Sequence, residues 1–423
     1  LEFRRVLFRS WLFSNSKTPT CWPVTSTIRV RVASPLNAGS STGTCSWAFS
    51  TPHTCGAAPT TAAATNIDPA TTVTAARSSH DARLFTWFTV VVAVRHGPSL
   101  CCPRHYSRPM SAFPVRPFRF GVQVDSAPDA RSWADLARRA EANGFDVLTM
   151  PDHFTPQLAP MPALMAAADA TTTLRVGALV FDNDYKHPLV LAKELATMDV
   201  LSGGRVEVGL GAGWMISDYE QSGIPYDSPK VRIDRFVEGL AVIKGCMSGE
   251  KFSFSGEHYV ITDHVAHPKP VQQPCPPILI GGGGKRVLTI AAREADIIGI
   301  NGTMTAGVVG VEAVSSMTSA AVDEKVAIVA AAGAHRLDRI EMNIRNFFVK
   351  VTDDRRGFVD GVAGMFNIPA ELIDDSPFGL IGSVASIQEQ ILASRERWGF
   401  SYFIVGAQNI EEMAPVVAAL RGK

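Results

Sequence analysis

Asp152 and His153 stand side by side in the stretch VLTMPDHFTP, where four residues of strand character end at Pro151. Imidazole titrates near neutrality, so at a strand end it can act as a general base or polarise a carbonyl group. The carboxylate beside it can accept a hydrogen bond from a cofactor ring or a backbone amide. Neighbours in an extended segment point to opposite sides, so the two are not expected to pair. A plainer reading stands beside this one, in which Pro151-Asp152 starts a turn and His153 caps it. Two glycine-rich stretches also follow strand-like runs. Gly281, Gly282, Gly283 and Gly284 precede Lys285 and Arg286. Bare backbone amides with cations at the next helix start can cradle a phosphate, or the run is a flexible loop. Gly211, Gly213 and Trp214 lie in GLGAGW. Glycines there let a flat ring lie against the backbone, or they accommodate a tight turn.

Several other chemistries are excluded. The glycine run is not a Walker loop, because Leu279 stands where GxxxxGK[ST] needs glycine and Arg286 where it needs a hydroxyl. GLGAGW is not GxGxxG, because its last glycine falls one residue early. HExxH, GxSxG and paired cysteine ligands are missing from the sequence, and no metal site is expected. Asp353-Asp354-Arg355-Arg356 is most simply a solvated charge cluster.

The elements that must position these residues alternate between strand and helix. Strands are expected at Phe120–Val124, Val147–Met150, Arg175–Val180, Arg205–Leu210, Pro277–Ile280, Asp296–Ile300, Glu341–Val351 and Ser401–Val405. Helices are expected between them, among them Ala130–Asn143, Met161–Ala170, Pro188–Leu201, Lys230–Met247, Lys285–Glu294, one within Val311–Ala332, Ser383–Trp398 and Ile410–Leu420. Short strand-like pieces at Phe252–Phe254 and Tyr259–Ile261 form an insertion after the fourth βα unit. Eight such units predict an α/β fold of the TIM (β/α)8 barrel type. A doubly wound sheet is the rival, but its nucleotide fingerprint is missing from FGVQVDSAPD after the first strand. Barrel sites lie at the C-terminal strand ends, where Asp152-His153, Asp182-Asn183-Asp184, GAGW and the glycine run all fall.

Residues 1–109 are unlike the rest. They are rich in Ser, Thr, Ala and Pro with little periodicity. Of 40 basic and 40 acidic residues, 11 and 3 precede residue 110, so residues 110–423 hold 29 and 37, a net charge of −8. That balance, with no basic stripe, excludes nucleic acid as a partner. Five of the seven cysteines lie in this leader, without the spacing of a metal site. Its apolar run Phe85–Val94 is far shorter than the roughly 20 residues of a membrane span, and a membrane partner is not expected. Residues 1–10, LEFRRVLFRS, resemble a translated sequencing-library adapter. The leader is therefore expected to be artefactual or disordered, with Met110 opening a single domain of residues 110–423.

From Phe118 to Lys423 the chain resembles the bacterial-luciferase-like flavin and deazaflavin oxidoreductases. The resemblance is carried by FRFGVQV, GFDVLTMPDHF, LRVGALVFDNDYKHPLVLAKELATMDVLSGGRVEVGLGAGW and PPILIGGGGKRVLTIAAREADIIGI. It leans towards the coenzyme F420-dependent branch. It implies that His153 is the catalytic base, that Asp152 lies near the deazaflavin, and that Leu179–Val180 is a cis peptide packed against the ring. Gly211, Gly213 and Trp214 would meet the cofactor on one side, and Gly282, Gly283, Gly284 and Lys285 would take its phosphate. Lys186, Lys285 and Arg286 are placed where the anionic F420 tail could leave. One departure stands out. The branch's sugar-phosphate dehydrogenases have a glutamate where this chain has Trp214, which argues against sugar-phosphate oxidation. The function implied is hydride transfer between the deazaflavin C5 of F420 and a small organic substrate. An FMN-dependent monooxygenase and a non-catalytic flavin-binding relative are the alternatives. A cytoplasmic location and a homodimer complete the expectations.

Overall fold

The computed structural model describes residues 72–75, 88–91, 111–304, 307–308 and 310–423. Among them, eight parallel strands close into a barrel: β1 (Arg119–Gln123), β2 (Val147–Met150), β3 (Arg175–Ala178), β4 (Val206–Gly211), β5 (Ile278–Gly282), β6 (Ile297–Ile300), β7 (Glu341–Arg345) and β8 (Phe400–Gly406). Closure is made where β8 returns to β1, with Phe403 opposite Phe120, and where β5 meets β4, with Leu279 opposite Gly209. The strands are buried on both faces, β2 and β8 along their whole length, which is why they read as continuous apolar runs. The helices that cover them are α1 (Ala130–Ala142), α2 (Pro160–Asp169), α3 (Pro188–Leu201), α4 (Pro229–Met247), α5 (Lys285–Glu294), α6 (Ser319–Ala332), α7 (Val384–Trp398) and α8 (Ile410–Leu420). Proline opens α2, α3 and α4, where its missing N–H costs nothing. No helix of the described residues is long and apolar enough to cross a membrane.

Inside the barrel the side chains stack in layers. At the N-terminal end, Glu207 accepts from Arg119 at 2.6 Å and from Arg175 at 2.9 Å, and Glu341 accepts from Arg119 at 2.7 Å. Above lies an apolar layer of Val147, Leu279, Ile297, Tyr402 and Ile404, with Leu179 and Val180 packed against it.

The expected order of elements holds, with local differences. Strand seven stops at Arg345 rather than running to Val351. There the Asn346 N–H donates to Ile404 O at 2.8 Å and the Asn346 side chain to Pro377 O at 3.0 Å. The chain then leaves the barrel, the Phe347 N–H donating to Phe378 O at 2.9 Å, and Phe348–Val351 pairs with Gly379–Gly382 instead. Strand three ends at Ala178, before a cis Leu179–Val180 bond. The stretch Val311–Ala332 is two helices, because Thr318 caps a new start at Ser319. The insertion after α4 is an antiparallel hairpin, Lys251–Ser255 with Val260–Val265. In the leader, Thr72–Ala75 and Phe88–Val91 pair antiparallel. Three of the four residues in each segment are β-branched, which favours strands. They belong to a unit of their own. The other expectations for residues 1–109 lie outside the described residues.

Candidate active site

His153 and Asp152 follow β2 and diverge as expected. The His153 Nδ1 atom lies 2.6 Å from Oδ2 of Asp218, a side chain only 2 % exposed. The same carboxylate accepts from the Tyr185 hydroxyl at 3.0 Å and from the Phe154 N–H at 3.1 Å. Burial alone would raise the Asp218 carboxyl, but these donors, His153 first among them, hold it below its ordinary range. The Trp214 ring meets the imidazole edge-on at 5.7 Å between centroids. Asp152 instead accepts the Asp182 N–H at 3.2 Å. Its burial raises its carboxyl.

Asp218 and Tyr185 are absent from the sequence reading. Asp218 sits in the first turn of the short helix Ile216–Ser222, just past GAGW. An acid there was the one available signal, since the loop after strand four must also reach the barrel mouth.

Beside this pair lies a carboxylate cluster. Asp182 accepts from the Asp184 N–H at 2.9 Å, and the Tyr219 hydroxyl lies 3.3 Å from Asp182 and 3.0 Å from Asp184. Arg235 pairs with Asp184 at 3.0 Å but not with Asp182. Burial, and then the negative neighbours Asp184 and Asp152, push Asp182 up to about 7. Among the described residues, no group of His, Cys, Asp and Glu could hold a metal.

The apolar wall is built by close approach of backbones. A Cβ on Gly211 would sit 2.5 Å from Val180 Cγ2, and one on Gly281 would sit 3.5 Å from Val180 Cγ1. Leu179 and Val180 stay half-buried above the apolar layer. Gly213 has φ +71, and a Cβ there would lie 1.8 Å from the Tyr219 hydroxyl; the turn itself demands glycine. At the end of β5, a Cβ on Gly282 would meet Val287 at 2.6 Å, and one on Gly283 would meet Gly302 O at 2.2 Å. Gly284 opens α5 without a side-chain cap and has no atom within 4 Å of the position a Cβ would take. Lys325 braces the facing loop, donating to Asn301 O at 2.7 Å and Ser316 O at 2.6 Å.

The three cations placed for an anionic tail fare differently. Lys186 is paired with Glu194 at 2.6 Å. Arg286 is paired with Asp234. Lys285 is exposed, with no carboxylate partner among the described residues.

A further cation was not anticipated. Arg345, the last residue of β7, donates through Nε to Gln123 Oε1 at 2.6 Å and through Nη1 to Asn346 O. Gln123 in turn donates to Leu179 O at 3.4 Å. A half-bare aliphatic wall, polar groups at its rim and an open helix start fit a flat ring with polar edges and a phosphate.

The sequence profile of the luciferase-like monooxygenases matches residues 110–344, more than half of the chain. The chain belongs to that family. Among curated members of the family, it is 30% identical over 199 residues to an FMNH2-dependent dimethylsulfone monooxygenase of Pseudomonas putida, covering 44% of this chain and 54% of the relative. It is 32% identical over 177 residues to an F420-dependent glucose-6-phosphate dehydrogenase of Amycolatopsis mediterranei (strain U-32), covering 39% and 52%. The chain thus spans about half the length of the curated relatives it matches. The barrel resembles an F420-dependent tetrahydromethanopterin reductase from Methanopyrus kandleri, with a TM-score of 0.58, 18% identity, and 72% and 100% of the two chains covered. It also resembles an F420-dependent secondary alcohol dehydrogenase, with a TM-score of 0.59, 19% identity, and 72% and 99% covered. These likenesses show the fold. The relatives the chain resembles thus include both FMNH2-dependent and F420-dependent oxidoreductases.

Proposed function

We propose that the barrel mouth is the active site of an F420-dependent oxidoreductase acting on a small organic substrate. The observation that carries this reading is the 2.6 Å contact between His153 Nδ1 and Asp218. A carboxylate accepting from Nδ1 keeps the proton on that nitrogen and leaves the Nε2 lone pair free. His153 Nε2 then takes the proton of a substrate hydroxyl, or polarises a carbonyl in the opposite direction after protonation. When bound, the deazaflavin accepts or supplies the hydride. Leu179, Val180 and Gly211 would hold its ring, Asp152 would meet a polar edge, and Gly282, Gly283, Gly284 and Lys285 would take the phosphate. The DHF block supports F420, as does the similarity to the F420-dependent dehydrogenase.

One observation favours a second reading. Trp214 stands beside His153 where the F420-dependent sugar-phosphate dehydrogenases carry an acid, and an FMNH2-dependent monooxygenase is comparably similar. Titration of the protein with each cofactor, read by quenching of intrinsic tryptophan fluorescence, separates the two. F420 is expected to bind at micromolar concentration or tighter, with FMN at least tenfold weaker, a difference of about 1.4 kcal/mol. FMN retained stoichiometrically, with no F420 binding, would transfer the assignment to the monooxygenase.

A further inference from the structure

The two ends of the barrel interior treat positive charge differently. Alternation along β7 points Glu341, Asn343 and Arg345 inward, one layer above another. At the N-terminal end, two arginines share two glutamates, so that layer compensates itself. At the C-terminal end, the Arg345 guanidinium meets two neutral oxygens, those of Gln123 and Asn346, and lies 5.2 Å from the centre of the Phe347 ring. No carboxylate pairs with it among the described residues. Burial alone pulls its pKa down to about 10. A partly desolvated cation without a counterion is costly, and the Phe347 ring offsets only part of that cost. Its neighbours do orient it: Gln123 fixes one edge of the fork and is itself tied to Leu179 O on the apolar wall.

We propose that Arg345 is an anion-recognition residue of the barrel mouth, aimed by Gln123 and completed by the anionic oxygens of a bound molecule. Those oxygens belong to a carboxylate, sulfonate or phosphate group on the substrate, or to the anionic ring edge of the reduced cofactor. A planar guanidinium with donors left over suits such groups, because it can engage two oxygens at once. Where the oxygens belong to the substrate, its class is a small organic acid rather than a neutral alcohol or alkane. This rests on the barrel mouth being the active site.

The test uses the full chain, free of cofactor, and the variants Arg345→Gln and Arg345→Lys. Acetate and methanesulfonate are titrated against chloride at matched ionic strength, and the melting temperature reports binding. Wild type is expected to be stabilised by either probe, with affinity at least tenfold lower in Arg345→Gln and intermediate in Arg345→Lys. Reduced F420 and reduced FMN are titrated anaerobically in a second arm. An unchanged probe response with a tenfold loss of reduced-cofactor affinity assigns the anion to the cofactor. Equal binding of probes and cofactors by wild type and Arg345→Gln overturns the proposal. If the variants do not fold, phenylglyoxal modification of Arg345 in wild type is followed by mass mapping. Slowing by methanesulfonate or cofactor supports the proposal, and a rate indifferent to both overturns it. Failure of wild type to bind F420 or FMN at all would remove the cofactor reading while leaving the probe response standing.

Discussion

Replacing His153 by Ala is expected to lower turnover by roughly 10²–10⁴-fold, the usual contribution of general acid–base catalysis, with far less change in cofactor affinity. Asp218→Asn tests how the imidazole is held. An amide donor facing Nδ1 drives the proton to Nε2, so turnover should fall by about the lower end of that range while binding persists. Steady-state rates beside cofactor titrations check both, and unchanged rates would remove the pair from the mechanism. Asp182 leads to a different prediction. Its carboxyl is raised from 3.8 to about 7, so between those values the folded protein binds a proton that the unfolded chain has released. Stability associated with this group is full below about 4 and is lost as pH rises towards 7. Asp182→Asn cannot ionise and can still accept from the Asp184 N–H. It should be more stable than wild type at pH 8, by about 2–4 kcal/mol on the worth of a pKa unit, and should equal it near pH 4. Denaturant melts at the two pH values decide, and an equal pH slope in both proteins would refute it.

At the scale of elements, the wall of the site is set by how closely β3 and β4 approach. A Cβ on Gly209 would lie 1.9 Å from Ala178 O, a backbone atom with no freedom to rotate away. Gly209→Ala must push the two strands apart, and a loss of at least about 1–3 kcal/mol is expected from overpacking. Gly284→Ala is the contrast, because nothing lies within 4 Å of that position and φ is −87. Its cost should stay within about 1 kcal/mol. Denaturant midpoints of the two variants give the comparison. Equal effects would mean that the β3–β4 approach does not limit the fold. The hairpin after α4 is held from below, where Glu238 accepts the N–H groups of Glu257, His258 and Tyr259 at 2.8, 2.8 and 3.1 Å. Tyr259 in turn lies 3.4 Å from the Asn183 amide, so the insertion supports the loop that carries Asp184 and Tyr185.

At the scale of the whole molecule, every barrel strand and covering helix lies between Arg119 and Leu420. A chain of residues 110–423 is therefore expected to fold with the melting temperature of the full chain, within about 2 °C. A truncated protein that is insoluble or melts much lower would make the preceding residues part of the fold. The barrel also separates its tasks. The charged layer at the N-terminal end satisfies itself, while at the mouth Asp182 and Arg345 have no oppositely charged partner among the described residues.

Fold class could be read without coordinates because buried parallel strands and amphipathic helices impose different periods on hydrophobicity, and eight such alternations leave few architectures. The pairing of Asp152 and His153 with a strand end was legible for the same reason: VLTM is apolar throughout and Pro151 stops it. What could not be read was which distant side chains complete the site. Asp218 lies 65 residues beyond His153, and Arg345 lies 222 residues beyond Gln123. Local patterns carry no trace of such distances, because barrel closure alone brings the ends of β1, β2, β4 and β7 around one mouth. The exit of the chain at Asn346 escaped for a like reason. It is held by hydrogen bonds of Asn346 to Pro377 and of Phe347 to Phe378, partners supplied by an element that follows in the sequence and meets it only in the folded barrel.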